Sequence, residues 1–294
     1  KQEYPSYGHG DMRCPAYDIL QADGSRITEF VYESHRVYEG KPVLKGLPAT
    51  YTERPEEAAT LEITLWDEWI KTKLVLTYTI YENLPVIARS ARFICQNEHG
   101  VILDQAMSAS VDLPDSSFEM VELTGAWARE RSIKTRKLEH GVQSVYSMRG
   151  CSSSNYNPFL ALKRPETGEH AGEVYGFSLV YSGNFLAQAE VDTYDVTRVM
   201  LGIHPHCFSW PLKCGEVFQT PEVVMVYSDS GLNGMSQTYH ELYRSRLARG
   251  AWRDKARPIL INNWEATYFD FDEEKILGLA RTAKDVGVEL FVLD

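Results

Sequence analysis

The sequence predicts a mainly β fold that passes, near its end, into a short α/β segment. Three observations support this: polar and apolar residues alternate with period two in many segments, helical spacing is nearly absent before residue 233, and residues 258–294 are ordered strand, helix, strand. Period-two alternation is typical of antiparallel strands with one covered face. We therefore expect a sandwich of large antiparallel sheets over residues 1–245, a linker over 246–257, and the start of a parallel α/β domain over 258–294.

The first 20 residues are rich in Tyr, Pro and Gly, which predicts an irregular loop. Within it, Asp11 and Arg13 either pair locally or bind a ligand, and local pairing is the simpler interpretation. Asp23-Gly24 then forms a tight-turn signal between two strand-like segments, residues 17–21 and 26–32. This arrangement predicts a β-hairpin.

Alternation marks the strands that follow. In residues 73–81, Leu74, Leu76, Tyr78 and Ile80 are expected on one face, so the strand should be half-buried. The remaining segments of this kind are residues 60–65, 86–94, 101–113, 174–181, 185–191, 197–203 and 217–227. After them, apolar residues recur at helical spacing between 233 and 250 and predict a helix, and a charged connection then ends at Pro258.

The last segment begins with an apolar run from Pro258, typical of a strand that is covered on both faces. Asp270 and Asp272 precede a helical stripe of apolar residues, as expected at a helix start, and Gly287 is placed to end the helix. A second buried strand ends on Asp294. A carboxylate at the carboxyl end of a parallel strand lies where α/β enzymes place their chemistry.

The composition of the chain limits the classes of function that it can have. The 294 residues are 44% hydrophobic and 12% aromatic, which is a globular composition. A net charge of −11 without clusters of Lys and Arg argues against a nucleic-acid partner. No apolar run approaches the roughly 20 residues that cross a bilayer, so we expect no membrane association. Five cysteines without a C-x-x-C pair favour reduced thiols in a cytoplasmic protein and argue against a metal site.

Three groups of residues could take part in ligand binding or catalysis. Trp127 lies among Arg and Glu residues, so it is either a platform for sugar stacking or a core tryptophan, and taken alone the core interpretation is simpler. His204 and His206 would face the same side of a strand, but no third metal ligand is near them. The polar run 152–158 lacks the strand-turn-helix context of a hydrolase nucleophile and is interpreted as turns.

The run Pro-Ile-Leu-Ile-Asn-Asn-Trp-Glu-Ala-Thr-Tyr-Phe-Asp-Phe-Asp-Glu-Glu-Lys at 258–275, with residues 289–294, closely resembles the start of the catalytic barrel of glycoside hydrolase family 36. Residues 47–51, 123–131, 174–185 and 218–222 resemble the N-terminal domain of the same family. The family comprises α-galactosidases of the melibiase and raffinose-cleaving kind.

The resemblance implies an N-terminal antiparallel β-supersandwich followed by the first β-α-β of a truncated (β/α)8 barrel. It also implies hydrolysis of terminal α-galactosyl residues of sugars such as melibiose and raffinose, by a retaining double displacement that needs no cofactor and no metal. The nucleophile and the acid/base of the family lie in later barrel strands. We therefore expect this chain to be a fragment without catalytic residues, and inactive alone.

Three substrate-binding positions follow from the resemblance. Asp294 matches an aspartate that bonds hydroxyls of the terminal galactose, Trp264 matches a tryptophan near that pocket, and Trp127 matches one by which the N-terminal domain reaches a substrate site. The resemblance further implies an α-galactoside oligosaccharide as substrate and a cytoplasmic homotetramer. Two alternatives stay open: a transferase of the raffinose family, and a non-catalytic carbohydrate-binding or oligomer-assembly β-sandwich module.

Overall fold

The computed structural model describes residues 2–294. The chain forms two compact units that divide after Leu247. None of the helices in residues 2–294 combines the length and apolar character that crossing a membrane requires.

The first unit is built from strands. Over residues 2–247 these are β1 Tyr17–Leu20, β2 Val31–Glu39, β3 Ala58–Asp67, β4 Thr72–Tyr81, β5 Val86–Cys95, β6 Val101–Leu113, β7 Glu119–Ala126, β8 Arg129–Lys137, β9 Gly141–Ser147, β10 Tyr156–Lys163, β11 Val174–Val180, β12 Phe185–Val191, β13 Thr197–Ile203, β14 Trp210–Leu212, β15 Val217–Gln219 and β16 Glu222–Ser228. A 3-10 turn, Pro55–Glu57, precedes β3, and helix α1, Gly231–Arg246, follows β16.

Two antiparallel sheets contain all of these strands. One has six strands in the order β1-β6-β13-β12-β9, with β14 also beside β6. The other has ten strands in the order β2-β3-β4-β5-β16-β11-β10-β7-β8, with β15 also beside β5. Strands β2 and β8 are therefore the edges of the larger sheet, and every residue of β8 is exposed. This confirms the predicted sandwich of antiparallel sheets.

The core lies between the two sheets. In one cluster, Leu103 and Met107 of β6 pack in the same buried group as Leu74 and Phe93 of the larger sheet. In a second cluster, residues of β12 and β13, such as Phe185, join β10 and β11. Full burial of an aliphatic or aromatic side chain contributes about 1.5–3 kcal/mol. These clusters therefore hold the sheets face to face.

Helix α1 covers the outer face of the larger sheet. Its buried residues Met235, Tyr239 and Leu242 recur at helical spacing and join a third apolar cluster with residues of β11 and β16. The Tyr239 hydroxyl donates to the carbonyl of Val224 at 3.1 Å. A Cβ built on Gly176 would lie 2.7 Å from Met235 Sδ, so the helix approaches as closely as it does because position 176 has no side chain. The predicted helix is confirmed.

The hairpin predicted around Asp23-Gly24 is wrong. The turn is present, with Gly24 at φ +86° and its N–H donating to Gln21 O at 3.0 Å. However, β1 pairs with β6 and β2 pairs with β3, in different sheets. The Asp-Gly signal specifies a turn but not which strands pair, and here the chain crosses between the sheets.

The strand predicted over 217–227 is two strands, β15 and β16, which both pair with β5. The break falls at Thr220 and Pro221. Proline has no N–H for the ladder, and the Thr220 hydroxyl instead accepts from Ala91 N at 2.9 Å. A side chain thus replaces a backbone partner at the break.

Strand β4 departs from the predicted half-burial. Leu74 is buried as expected, but Ile80 on the same face is 55% exposed, and Val75 and Thr79 on the other face are buried. The Thr79 hydroxyl bonds to the hydroxyl of Thr60 at 2.8 Å, so polar residues there are satisfied within the protein. Alternation therefore predicted the strand but not what covers each face.

The second unit contains β17 Leu260–Asn262, α2 Trp264–Thr267, α3 Glu273–Asp285 and β18 Leu290–Val292. The two strands pair in parallel, with Asn262 opposite Val292, so the β-α-β prediction is confirmed. Asp272 caps α3 by accepting from Lys275 N at 2.9 Å, and Gly287 has φ +90° just after the helix. Residues 260 and 261, predicted as covered on both faces, are 53% and 44% exposed, so that part of the prediction is wrong.

Candidate functional site

Trp264 and Asp294 both follow the carboxyl ends of the paired strands in the second unit. Trp264 comes two residues after the end of β17, and Asp294 two residues after the end of β18. Because the strands are parallel and in register, their carboxyl ends lie at the same edge of the sheet. The structure thus places both residues at one edge.

Two consecutive asparagines organise this edge. Asn262 Nδ2 donates to Asp294 Oδ2 at 3.0 Å. Asn263, which is fully buried, accepts from the Asp294 backbone N–H at 2.9 Å and donates from Nδ2 to Thr267 Oγ1 at 2.9 Å. Asp294 Oδ1 has no hydrogen bond to residues 2–294. The sequence analysis missed both amides, although a pair of asparagines at a predicted strand end was a usable signal.

The Trp264 ring contacts two further aromatic rings. Its centroid lies 5.5 Å from that of Tyr268 and 5.0 Å from that of Phe269, both edge to face. Tyr268 and Phe269 are exposed, and Tyr268 has φ +47°, an uncommon conformation for a bulky residue. The edge therefore offers aromatic faces beside a carboxylate, a combination suited to the apolar face and the hydroxyls of a sugar.

Trp127 occupies the tip of the β7–β8 hairpin in the first unit and is 87% exposed. The core interpretation of this residue is therefore wrong. Ala128 beside it has φ +62°, and its N–H donates to Glu130 Oε1 at 2.9 Å. A Cβ on Gly125 would lie 2.4 Å from Arg129 O, so the narrow hairpin requires glycine there. This backbone holds the indole out in solvent, accessible to a ligand.

His204 and His206 lie in the turn after β13, and the backbone N–H of His206 donates to His204 Nδ1 at 3.0 Å. Burial, with the neighbouring His206, lowers the pKa of His204. No group of three or more His, Cys, Asp or Glu among residues 2–294 could hold a metal ion. All five cysteines are free thiols.

Asp11 and Arg13 pair as predicted. Arg13 Nη2 donates to Asp11 Oδ2 at 2.8 Å and to Asp112 Oδ2 at 2.9 Å. Arg198, buried and missed by the sequence analysis, donates to Asp11 at 2.7 Å. The hydrogen bond from Arg13, together with that from Arg198, holds the pKa of the Asp11 carboxyl well below its ordinary value. The cluster joins the N-terminal segment to β6 and β13.

Comparison with known families decides the assignment. The family model described as the glycosyl hydrolase family 36 N-terminal domain matches residues 1–213. The chain belongs to glycoside hydrolase family 36. The family model described as melibiase matches residues 217–294 of this family 36 chain.

Curated relatives agree with this. The family 36 chain is 59% identical to the α-galactosidase AgaA of Geobacillus stearothermophilus over 293 residues, covering 100% of this chain and 40% of AgaA. It is 44% identical to the α-galactosidase Mel36A of Lactobacillus acidophilus, again over 100% of this chain and 40% of that relative. The chain thus spans about 40% of the length of these relatives.

Solved structures show the same similarity. The crystal structure of AgaA matches with a TM-score of 0.96 at 59% identity, covering 100% of this family 36 chain and 41% of that one. The galactosidase domain of the α-galactosidase–sucrose kinase AgaSK matches with a TM-score of 0.96 at 39% identity, covering 100% and 41%. Variants of AgaA have been crystallised in complex with raffinose and with stachyose.

Proposed function

We propose that the full-length protein containing this chain is an α-galactosidase that hydrolyses terminal α-galactosyl residues of oligosaccharides such as melibiose and raffinose. The observation that carries this is the 59% identity to AgaA over the whole chain. The complexes of AgaA variants with raffinose and stachyose support an oligosaccharide substrate. Anomeric configuration is retained by double displacement, with both reacting carboxylates outside residues 1–294.

Within the chain, Asp294 accepts hydrogen bonds from hydroxyls of the terminal galactose and Trp264 packs beside that sugar. The free Oδ1 of Asp294 and the aromatic rings around Trp264 support these roles. The Asn262 amide bonds the Asp294 carboxylate and the Asn263 amide bonds the Asp294 backbone N–H, so this residue loses little freedom on binding, which favours affinity.

Trp127 contacts the substrate from the N-terminal domain. The exposure of its indole at a hairpin tip supports a binding role, since an exposed tryptophan has no packing role within its own unit. The enzyme works as a homotetramer in the cytoplasm. The five free thiols favour the cytoplasmic location.

The test is hydrolysis of a nitrophenyl α-galactoside by the full-length protein, with the anomer of the released galactose followed by NMR. We expect turnover and initial release of the α-anomer. Absence of turnover, or initial release of the β-anomer, would contradict the proposal. Residues 1–294 alone should give no turnover, because no binding residue substitutes for a covalent nucleophile.

A further inference from the structure

Asn262 is the last residue of β17, and its side chain bonds both residues of the second unit that are proposed to bind galactose. Its Nδ2 donates to Asp294 Oδ2 at 3.0 Å, across the pair of strands. Its Oδ1 accepts from the backbone N–H of Trp264 at 3.1 Å. One carboxamide therefore connects the candidate carboxylate to the backbone that carries the candidate indole.

The orientation of this carboxamide is fixed by its two partners. A backbone N–H can only donate and a carboxylate can only accept, so the amide nitrogen faces Asp294 and the amide oxygen faces Trp264. An aspartate at position 262 would keep the acceptor for Trp264 but would place a second carboxylate against that of Asp294. The site thus uses both the donor and the acceptor of an asparagine side chain.

The neighbouring Asn263 holds the backbone of Asp294. Asn263 is fully buried, its Oδ1 accepts from Asp294 N at 2.9 Å, and its Nδ2 donates to Thr267 Oγ1 at 2.9 Å. The Thr267 hydroxyl donates back to the Asn263 carbonyl at 3.1 Å. Because the backbone of Asp294 is fixed in this way, rotation of its side chain is the freedom that remains, and the bond from Asn262 restricts it.

Asn262 also differs from Asn263 in exposure. Asn262 is exposed, and its bond to Asp294 lies at the surface of residues 2–294. Substitutions of exposed side chains usually change the free energy of unfolding little. The strands β17 and β18 pair through their own backbones, so the bonds of Asn262 are not needed to hold them together. What these bonds determine is the orientation of Asp294 and Trp264.

We propose that Asn262 is a positioning residue of the galactose site, which holds the Asp294 carboxylate in one rotamer relative to Trp264. This inference rests on the proposed function, because Asn262 acts through Asp294. An acceptor that is oriented before binding loses less freedom when a sugar hydroxyl bonds to it. The same carboxamide fixes the backbone of Trp264, so the hydrogen-bonding group and the apolar surface for the sugar keep a constant spacing.

The experiment is a double-mutant cycle in the full-length enzyme with Asn262→Asp, Asp294→Ala and the two combined. The kcat/KM is measured on a nitrophenyl α-galactoside, and calorimetry gives the Kd of 1-deoxygalactonojirimycin, which has been crystallised with an AgaA variant. Asn262→Asp alone should lower kcat/KM and raise Kd about 10-fold or more, because a donor to a carboxylate is replaced by a repelling charge. In the Asp294→Ala background the same substitution should change either value less than about 2-fold, since the effects of contacting residues are coupled.

Glu289→Gln is the matched control. Glu289 Oε2 accepts from Ile259 N at 2.9 Å, so it is also an exposed side chain that bonds across the two strands, but at their amino ends. Glutamine keeps an acceptor there, and neither measurement should change. The melting temperature of Asn262→Asp should equal that of the parent. If it is lower, Asn262→Ala, which adds no charge, repeats the cycle, and its effect should likewise shrink when Asp294 is absent.

Equal effects of Asn262→Asp with and without Asp294 would show that Asn262 does not act through that carboxylate, and the inference would be wrong. Parent-like values for the single variant would overturn it as well. A parent enzyme that binds the inhibitor without hydrolysing the nitrophenyl substrate would defeat the proposed function alone, because the Kd cycle still tests Asn262. A parent enzyme that does neither would defeat both.

Discussion

At the residue scale, the sugar-binding role proposed for Asp294 depends on the hydrogen bonds around its carboxylate. One oxygen accepts from Asn262, the backbone N–H donates to Asn263, and the second oxygen has no hydrogen bond to residues 2–294. A site whose polar groups bond substrate hydroxyls discriminates strongly, because a polar group without its match is left unpaired. The role of this residue is therefore open to a direct test.

In the full-length enzyme, Asp294→Asn should lower kcat/KM on α-galactosides roughly thirty- to a thousand-fold, since loss of a charged acceptor costs about 2–4 kcal/mol of transition-state binding. The melting temperature should stay unchanged. Asp285→Asn, at the exposed end of α3, serves as the control and should be silent. Near-normal activity of the Asp294 variant would exclude a sugar-binding role.

A second residue-scale prediction concerns acid stability. The pKa of Asp11 is lowered below its ordinary value of 3.8 by the hydrogen bond from Arg13. Because the folded-state pKa is depressed, the stabilisation is fully present above the ordinary value and is lost as the pH falls towards the folded-state pKa. Asp11→Asn should therefore lower the free energy of unfolding at pH 7 by about 1.5–3 kcal/mol.

The same variant should show a smaller loss of stability between pH 5 and pH 2 than the parent, measured by urea unfolding at each pH. Asp23→Asn is the comparison, since Asp23 lies in an exposed turn and asparagine keeps its acceptor for Ser25 N. Parallel pH profiles for the parent and the Asp11 variant would show that this carboxylate does not contribute to acid stability.

At the element scale, the segments that the sequence predicted well are those whose two faces differ in polarity. Strands β6, β12 and β13 begin and end at the residues predicted from the alternation of polar and apolar residues, because each has a buried apolar face. Strand β8 was not assigned, because all nine of its residues are exposed and no alternation exists to detect. Pairing partners, as at β1 and β2, depend on contacts distant in sequence.

The candidate site was predictable for a related reason. Asp294 follows a strand whose position is readable from the sequence, whereas the exposure of Trp127 depends on the hairpin around it. A tryptophan among charges has the same sequence signature in a core and at a hairpin tip.

The packing of α1 on its sheet gives an element-scale prediction. Gly176→Ala would place a Cβ 2.7 Å from Met235 Sδ and 2.9 Å from Tyr239 Cε2, so the helix must shift. Overpacking of this kind should reduce the free energy of unfolding by about 1–3 kcal/mol, measured by urea unfolding.

Gly278→Ala in α3 is the matched control, because a Cβ there meets nothing within 4 Å. This substitution should stabilise the protein by about 0.5–1 kcal/mol, since alanine favours the helix. Equal effects of the two substitutions would show that close approach of α1 does not constrain position 176.

At the scale of the whole molecule, the two units differ in how completely they bury apolar surface. The first unit has three buried clusters. The second leaves Leu260, Ile261, Leu277 and Val286 exposed, and among its apolar side chains only Ala283 is buried. Local stability follows the density of buried contacts, so the two units should open with different free energies.

In purified residues 1–294, amide hydrogens of β17 and β18 should exchange with solvent well before those of β4 to β6. Limited proteolysis should cut within residues 258–294 while residues 1–245 resist, because exposed strand edges and loops are cut first. Hydrogen exchange read by mass spectrometry tests both statements, with β12 and β13 as internal reference. Equal protection across the two units would contradict them.

The exposed edge strand β8 has a consequence for the colloidal behaviour of the protein. An unpaired strand edge is a template on which another copy can add, and two strands joined in this way lie about 4.8 Å apart. Five of the nine residues of β8 are cationic, in a chain whose net charge is −11. Two such edges repel each other, and the repulsion weakens as added salt shortens the Debye length from about 10 Å at 0.1 M to about 3 Å at 1 M.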